Sequence, residues 1–108
     1  MDVTLTIGTT KTDTQAITPT EQFEALVKLA LGAADVSLTL GTLAAPKMIA
    51  VFGAEGVSFK IGAGGTDSIK ADPFAIIFDE NGDIGETAIL LSNSDSVEHD
   101  VYVYAYEY

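Results

Sequence analysis

The chain contains no cysteine, no tryptophan and one histidine in 108 residues. Without cysteine it can form no disulfide, thiolate nucleophile or thiolate metal site. Any catalytic triad or histidine metal site would have to be built around His99 alone. Because neighbouring side chains in a strand point to opposite faces, Glu98 and Asp100 cannot both orient its ring. We expect a histidine at the surface or at a strand end, and no enzymatic activity.

Basic residues are scarce: lysine and arginine together number five against sixteen acidic residues, for a formal net charge of −11. Nucleic acids and anionic membranes are both bound through lysine and arginine, so we expect neither as a partner. The acidity favours solubility and would suit a partner with a basic patch. No spacing singles out a pair of carboxylates for glycoside hydrolysis.

Long apolar runs are also missing. The longest, such as residues 74–78, are too short to span a bilayer, and the N-terminus does not resemble a signal peptide. Since 47% of the residues are hydrophobic, one domain over residues 1–108 can bury a core.

Alternating apolar and polar residues, typical of half-buried strands, dominate the chain. They occur at residues 3–7, 36–40, 57–61 and 101–106, with continuous apolar runs at 48–52, 74–78 and 88–91. We expect the runs at 48–52 and 74–78 to be covered on both faces, and tight hairpins at residues 53–56 and at Asn81-Gly82. About seven or eight antiparallel strands predict a single all-β domain, a β-sandwich or jelly roll. The predicted core is Val3, Leu5, Ile7, Val36, Leu38, Ile49, Val51, Phe59, Ile76, Ile89, Leu91, Val101 and Val103.

Residues 19–31 carry two competing patterns. A capping box with Pro19 at the first helical position predicts a short helix, with Phe23, Leu26 and Val27 on one face. The same stretch alternates like a strand, and the surrounding β pattern favours the strand. The threonine-rich residues 8–20 predict an exposed loop or arm.

Two loops resemble ligand sites. Asp79, Asn81 and Asp83 have the first ligand spacing of a calcium loop, but Leu90 stands where its glutamate is required. An Asn-Gly hairpin explains the same residues, and calcium remains the alternative. The glycine-rich residues 62–67 lack the Lys-Ser/Thr of a phosphate loop. We therefore expect no cofactor.

The last residues supply the most informative pattern. If Val101 and Val103 face the core, the opposite face of the strand carries Tyr102, Tyr104, Tyr106 and Tyr108. Tyrosine combines a large contact area with a hydrogen-bonding tip, which suits a protein interface. The alternative is a strand between two layers, with the tyrosines packed into a second core.

The chain resembles small β-sandwich or jelly-roll structural proteins of tailed-bacteriophage virions. The resemblance lies in residues 40–52, the return at 56–61, residues 72–78 and the Ser92-Asn93-Ser94 turn into a valine-rich strand. It covers most of residues 22–106, although Gly53 stands where the family pattern often has asparagine.

The resemblance implies a homo-oligomer, often a trimer, located on the virion after assembly in the host cytoplasm. The expected function is capsid decoration: the protein would bind across junctions of the major capsid protein, or another virion protein, and stabilise the shell. Two alternatives stay open. One is a tail-associated or fibre-type glycan-binding module, and the other is a non-viral homomeric assembly domain.

Overall fold

The computed structural model describes residues 2–7, 11–16, 21–78 and 86–107, with the backbone alone for residues 2–7 and 11–16. Every regular element in these ranges is a strand, which confirms the all-β prediction. The strands are β1 (Asp2–Ile7), β2 (Lys11–Ala16), β3 (Glu21–Leu29), β4 (Val36–Thr39), β5 (Met48–Phe52), β6 (Val57–Ile61), β7 (Ile69–Lys70), β8 (Phe74–Phe78), β9 (Ala88–Asn93) and β10 (His99–Glu107).

Eight of these strands form two four-stranded antiparallel sheets, in the orders β3-β10-β5-β8 and β4-β9-β6-β7. The pairs are nested: β3 pairs with β10, β4 with β9, β5 with β8 and β6 with β7. An eight-stranded double sheet paired in this way is a jelly roll. Strands β1 and β2 form a separate antiparallel hairpin.

The core lies between the two sheets and follows the two-residue period of the strands. In β10, for example, Val101, Val103 and Ala105 are fully buried and contact side chains of the opposite sheet. The other buried members of this cluster are Leu29, Leu40, Leu43, Ile49, Val51, Val57, Phe59, Ala71, Ile89 and Leu91.

Residues 19–31, for which both a helix and a strand pattern exist in the sequence, contain the strand β3. All nine of its residues are in register with β10, and its inward side chains Phe23 and Val27 pack against the core. Tertiary pairing therefore overrides the local helical pattern. Within residues 8–20, for which an exposed loop or arm is predicted, Lys11–Ala16 form the strand β2.

The predicted core is wrong at two positions. Val36 lies on the inward side of β4, opposite the buried Leu91, but is 40% exposed because β4 is an edge strand. Ile76 is 44% exposed because it points outward from the edge strand β8. The prediction that residues 74–78 are covered on both faces fails for the same reason, whereas Met48 to Val51 in β5 are buried on both. The side chains of Val3, Leu5 and Ile7 lie outside the described residues.

The predicted hairpin at residues 53–56 is also wrong. The turn connects β5 to β6, which belong to different sheets, so the two strands do not pair. The turn needs glycine at both ends. A Cβ on Gly53 would lie 2.5 Å from the carbonyl oxygen of Ala71, and Gly56 has a φ of +86°. The second predicted hairpin, at Asn81-Gly82, lies outside the described residues.

Candidate functional site: the outer face of one sheet

One surface of the β3-β10-β5-β8 sheet points away from the core. Because the strands are in register, its outward side chains form three rows across all four strands, which we call the outer face. The rows are Leu26, Tyr102, Phe52 and Phe74; then Glu24, Tyr104, Ala50 and Ile76; then Gln22, Tyr106, Met48 and Phe78. Ten of these twelve positions carry apolar or aromatic side chains. Beyond the first row, the same side of β3 and β10 carries the charged pair Lys28 and Asp100.

Much of the outer face is open to solvent. The exposed fractions are 67% for Leu26, 44% for Phe52, 53% for Phe74, 44% for Ile76 and 39% for Phe78. With about 150–250 Å² for each aromatic side chain, these five expose on the order of 400–500 Å². The largest apolar patch of a typical monomer is about 300–600 Å² and is often functional. The outer face therefore has the size and composition of the centre of a protein interface.

Aromatic packing holds the first row in place. The ring centroids of Phe52 lie 5.9 Å from those of Phe74 and of Tyr102. Rings at this separation attract one another, so the side chains are ordered before any partner binds. This order lowers the entropy that binding would cost.

Part of the outer face, on strands β10 and β5, is buried. Tyr106 is 0% exposed, and with Met48 and Ala50 it forms a small second core against which Tyr104 packs. The predicted tyrosine strip is therefore divided between its two interpretations: Tyr102 and Tyr104 remain half-buried at the surface, and Tyr106 belongs to a second core. Tyr108 lies outside the described residues.

Glu24 is the one charged side chain in the three rows. Burial and the neighbouring Glu24 carboxylate raise the pKa values of Tyr102 and Tyr104. Both phenols therefore stay protonated at neutral pH and can donate hydrogen bonds. The Tyr104 hydroxyl donates to Gln22 Oε1 at 2.9 Å. The face is thus nearly uncharged on a strongly acidic chain.

His99 begins β10, in agreement with the strand-end prediction. Its Nε2 lies 2.8 Å from Asp95 Oδ2, so its hydrogen-bond partner is neither of its sequence neighbours. The sequence did not reveal Asp95 as the partner, because the path of the loop at residues 94–98 brings its carboxylate to the His99 ring. The hydrogen bond with His99, followed by that from the Ser96 N–H, lowers the pKa of Asp95. This pair fixes a loop to a strand.

Other possible sites are weaker. A surface cavity of about 220 Å³ lies between Ser58, Lys70, Asp72 and Ser94. Ligand pockets usually measure about 300–1,000 Å³. Within residues 21–78 and 86–107, no three His, Asp or Glu side chains are grouped to hold a metal ion. The calcium candidates Asp79, Asn81 and Asp83 lie outside those ranges.

No protein-family model, curated protein or solved structure matches this chain. In the described part of the chain, no helix has the length and apolar character needed to cross a membrane.

Proposed function

We propose that this protein is a structural protein that binds another protein through the outer face, and that it acts as a decoration protein of a virus shell. The observation that carries the proposal is the row Leu26-Tyr102-Phe52-Phe74, an ordered and largely exposed apolar surface across four strands. A single chain gains little from exposing such a row to water, so its burial by a partner explains it.

The charge distribution favours a protein partner. A net charge of −11 opposes binding to nucleic acids and to anionic membranes. The outer face itself carries one charge, Glu24, so an apolar protein surface can approach it without removing many charges from water. The acidic remainder of the chain would form the rim of such an interface and favour a partner with basic surroundings.

Two considerations support the more specific role on a virus shell. Jelly rolls are frequent in viral capsid proteins, although lectins and cupins share the fold, so the fold alone does not select the role. The sequence also resembles small virion proteins of tailed bacteriophages over residues 40–52 and 72–78. A protein that binds only the assembled shell stabilises it by mass action.

Particles assembled without the protein test this proposal. We expect them to lose integrity at lower temperature or under milder osmotic shock than complete particles, and adding the purified protein should restore their resistance. Particles whose resistance does not change would contradict the shell-stabilising role.

A glycan-binding module is the second candidate, because sugars stack on exposed aromatic rings such as Phe52 and Phe74. Sugar recognition also requires several polar groups beside the rings, and the three rows offer Gln22, Glu24 and the hydroxyls of Tyr102 and Tyr104 at one side only. Binding to glycans that is lost on replacing Phe52 would favour this candidate over shell binding.

A further inference from the structure

Strand β3 forms an edge of its sheet. In the described ranges it pairs with β10 and with no other strand. It is nine residues long, whereas strands in globular proteins usually have about five or six. A long edge strand presents a row of backbone donors and acceptors that another strand can pair with.

The outward side chains of β3 have a pattern that is complementary to itself. Glu24, Leu26 and Lys28 lie at successive outward positions and are all exposed, with Leu26 at 67%. An acid and a base therefore stand at equal distances on either side of an apolar residue. The ion pairs found among the described residues are Lys60–Asp35 and His99–Asp95. Within the sheet, Lys28 lies opposite Asp100 and Glu24 lies opposite Tyr104, so the other side of each is free to face a second strand.

We propose that β3 pairs antiparallel with β3 of a second copy of this chain, about a two-fold axis at Leu26. In this register Leu26 faces Leu26 of the second copy, and Glu24 faces its Lys28 on both sides of the axis. The two four-stranded sheets become one continuous sheet, and their first rows join through Leu26. This proposal is independent of the shell-binding role.

Other registers are disfavoured by the same side chains. An axis at Glu24 or at Lys28 would place like charges directly opposite each other. An axis at residue 25 or 27 would place Leu26 opposite a charge. An axis between two residues would place an outward side chain of one copy opposite an inward side chain of the other. The outer faces of the two copies would then lie on opposite sides of the joined sheet.

The inward side of β3 supports the same pairing. Phe23 and Val27 pack against the core but remain only partly buried, because the sheet ends beside them. In the proposed register Phe23 faces Leu29 of the second copy, and Val27 faces its Ala25. A second strand would therefore cover apolar surface on the inner side as well as on the outer face.

Charge reversal tests this register. Glu24→Lys places a base at both outward positions beside Leu26, and Lys28→Glu places an acid at both. Each variant therefore loses both ion pairs of the dimer and places like charges opposite each other. We expect each single variant to raise the dimer dissociation constant about tenfold or more, as measured by sedimentation equilibrium. The double variant E24K/K28E restores the complementarity and should dimerise like the original chain.

An equimolar mixture of E24K and K28E is the second measurement, because it should form a mixed dimer with the affinity of the original chain although each variant alone dimerises more weakly. Such recovery would also show that both variants are folded. Phe74→Ser, at the opposite edge of the sheet, is the matched control and should leave the dimer intact. A monomeric original chain, a trimer, or single variants that dimerise normally would overturn the proposal. These dimerisation results do not test shell binding. Shell binding is tested by a separate assay, in which Phe74 is replaced and binding to shells is measured.

Discussion

Replacing Asn93 with alanine should remove the connection between two loops at one end of the sandwich. Asn93 is the last residue of β9 and is 0% exposed. Its Nδ2 group donates to the carbonyl oxygens of Leu29 at 3.1 Å, Ala30 at 3.3 Å and Val97 at 2.9 Å. Its Oδ1 accepts from the Asp95 N–H at 3.0 Å. One side chain therefore joins the end of β3 to the loop before β10.

The expected cost follows from these contacts. A buried polar group left without a partner costs about 1–3 kcal/mol. Of the four contacts, the one to Leu29 is fully buried, and water can reach the other three groups after truncation. We therefore expect N93A to lower the free energy of unfolding by about 2–4 kcal/mol, out of about 5–15 kcal/mol for a typical domain.

Urea denaturation at pH 7 measures this loss, and N93D is the informative companion variant. Aspartate keeps the acceptor but replaces the donor with a carboxylate facing carbonyl oxygens, so it should be less stable than N93A at pH 7. Burial would raise the folded-state pKa of this carboxyl above its unfolded value, so stability should return as the pH falls. An N93A variant within about 0.5 kcal/mol of the original chain would refute the reasoning.

Two further predictions concern the same end of the molecule. Gly56→Ala should lower the free energy of unfolding by about 1–3 kcal/mol, because φ is +86° and the added Cβ would lie 2.7 Å from the Asp95 nitrogen. Gly32→Ala is the control, because Gly32 has a φ of +70° but open space around it, so only the backbone strain contributes. Urea denaturation measures both variants. His99→Gln should raise the pKa of Asp95, observed by NMR titration, because the hydrogen bond from His99 is the main cause of its lowering. The stability due to this lowered pKa is present above the unfolded-state pKa and is lost as the pH falls through the folded-state pKa, so H99Q should weaken that acid dependence.

The sequence allowed the strands to be predicted where apolar and polar residues alternate. In β10 the alternation correctly placed Val101 and Val103 inward and Tyr102 outward. It could not separate Tyr102 from Tyr106, because the burial of each tyrosine depends on its neighbours across the sheet. Tyr106 lies beside Met48 in a second core, whereas Tyr102 lies beside the exposed Phe52.

The sequence predicted the tyrosines of β10 as part of an outward face, but not the neighbouring apolar side chains of β3, β5 and β8. A continuous apolar run such as Phe74–Phe78 predicts a strand covered on both sides, but β8 is an edge strand with an open outer surface. Whether a strand lies at the edge or in the centre of its sheet depends on the order of the strands, and a local sequence pattern carries no information about that order. The contact between Asp95 and His99 was missed for a related reason, because a loop brings them together.

Co-sedimentation with intact shells, compared with dissociated shell subunits, tests the central claim that the outer face binds an assembled partner. The original chain should sediment with intact shells only. The variant F52S/F74S should bind about thirty-fold more weakly or worse, and Val97→Ser, which changes an apolar residue that is 51% exposed elsewhere, should bind normally. If F52S/F74S binds shells as tightly as the original chain, the outer face is not the binding surface.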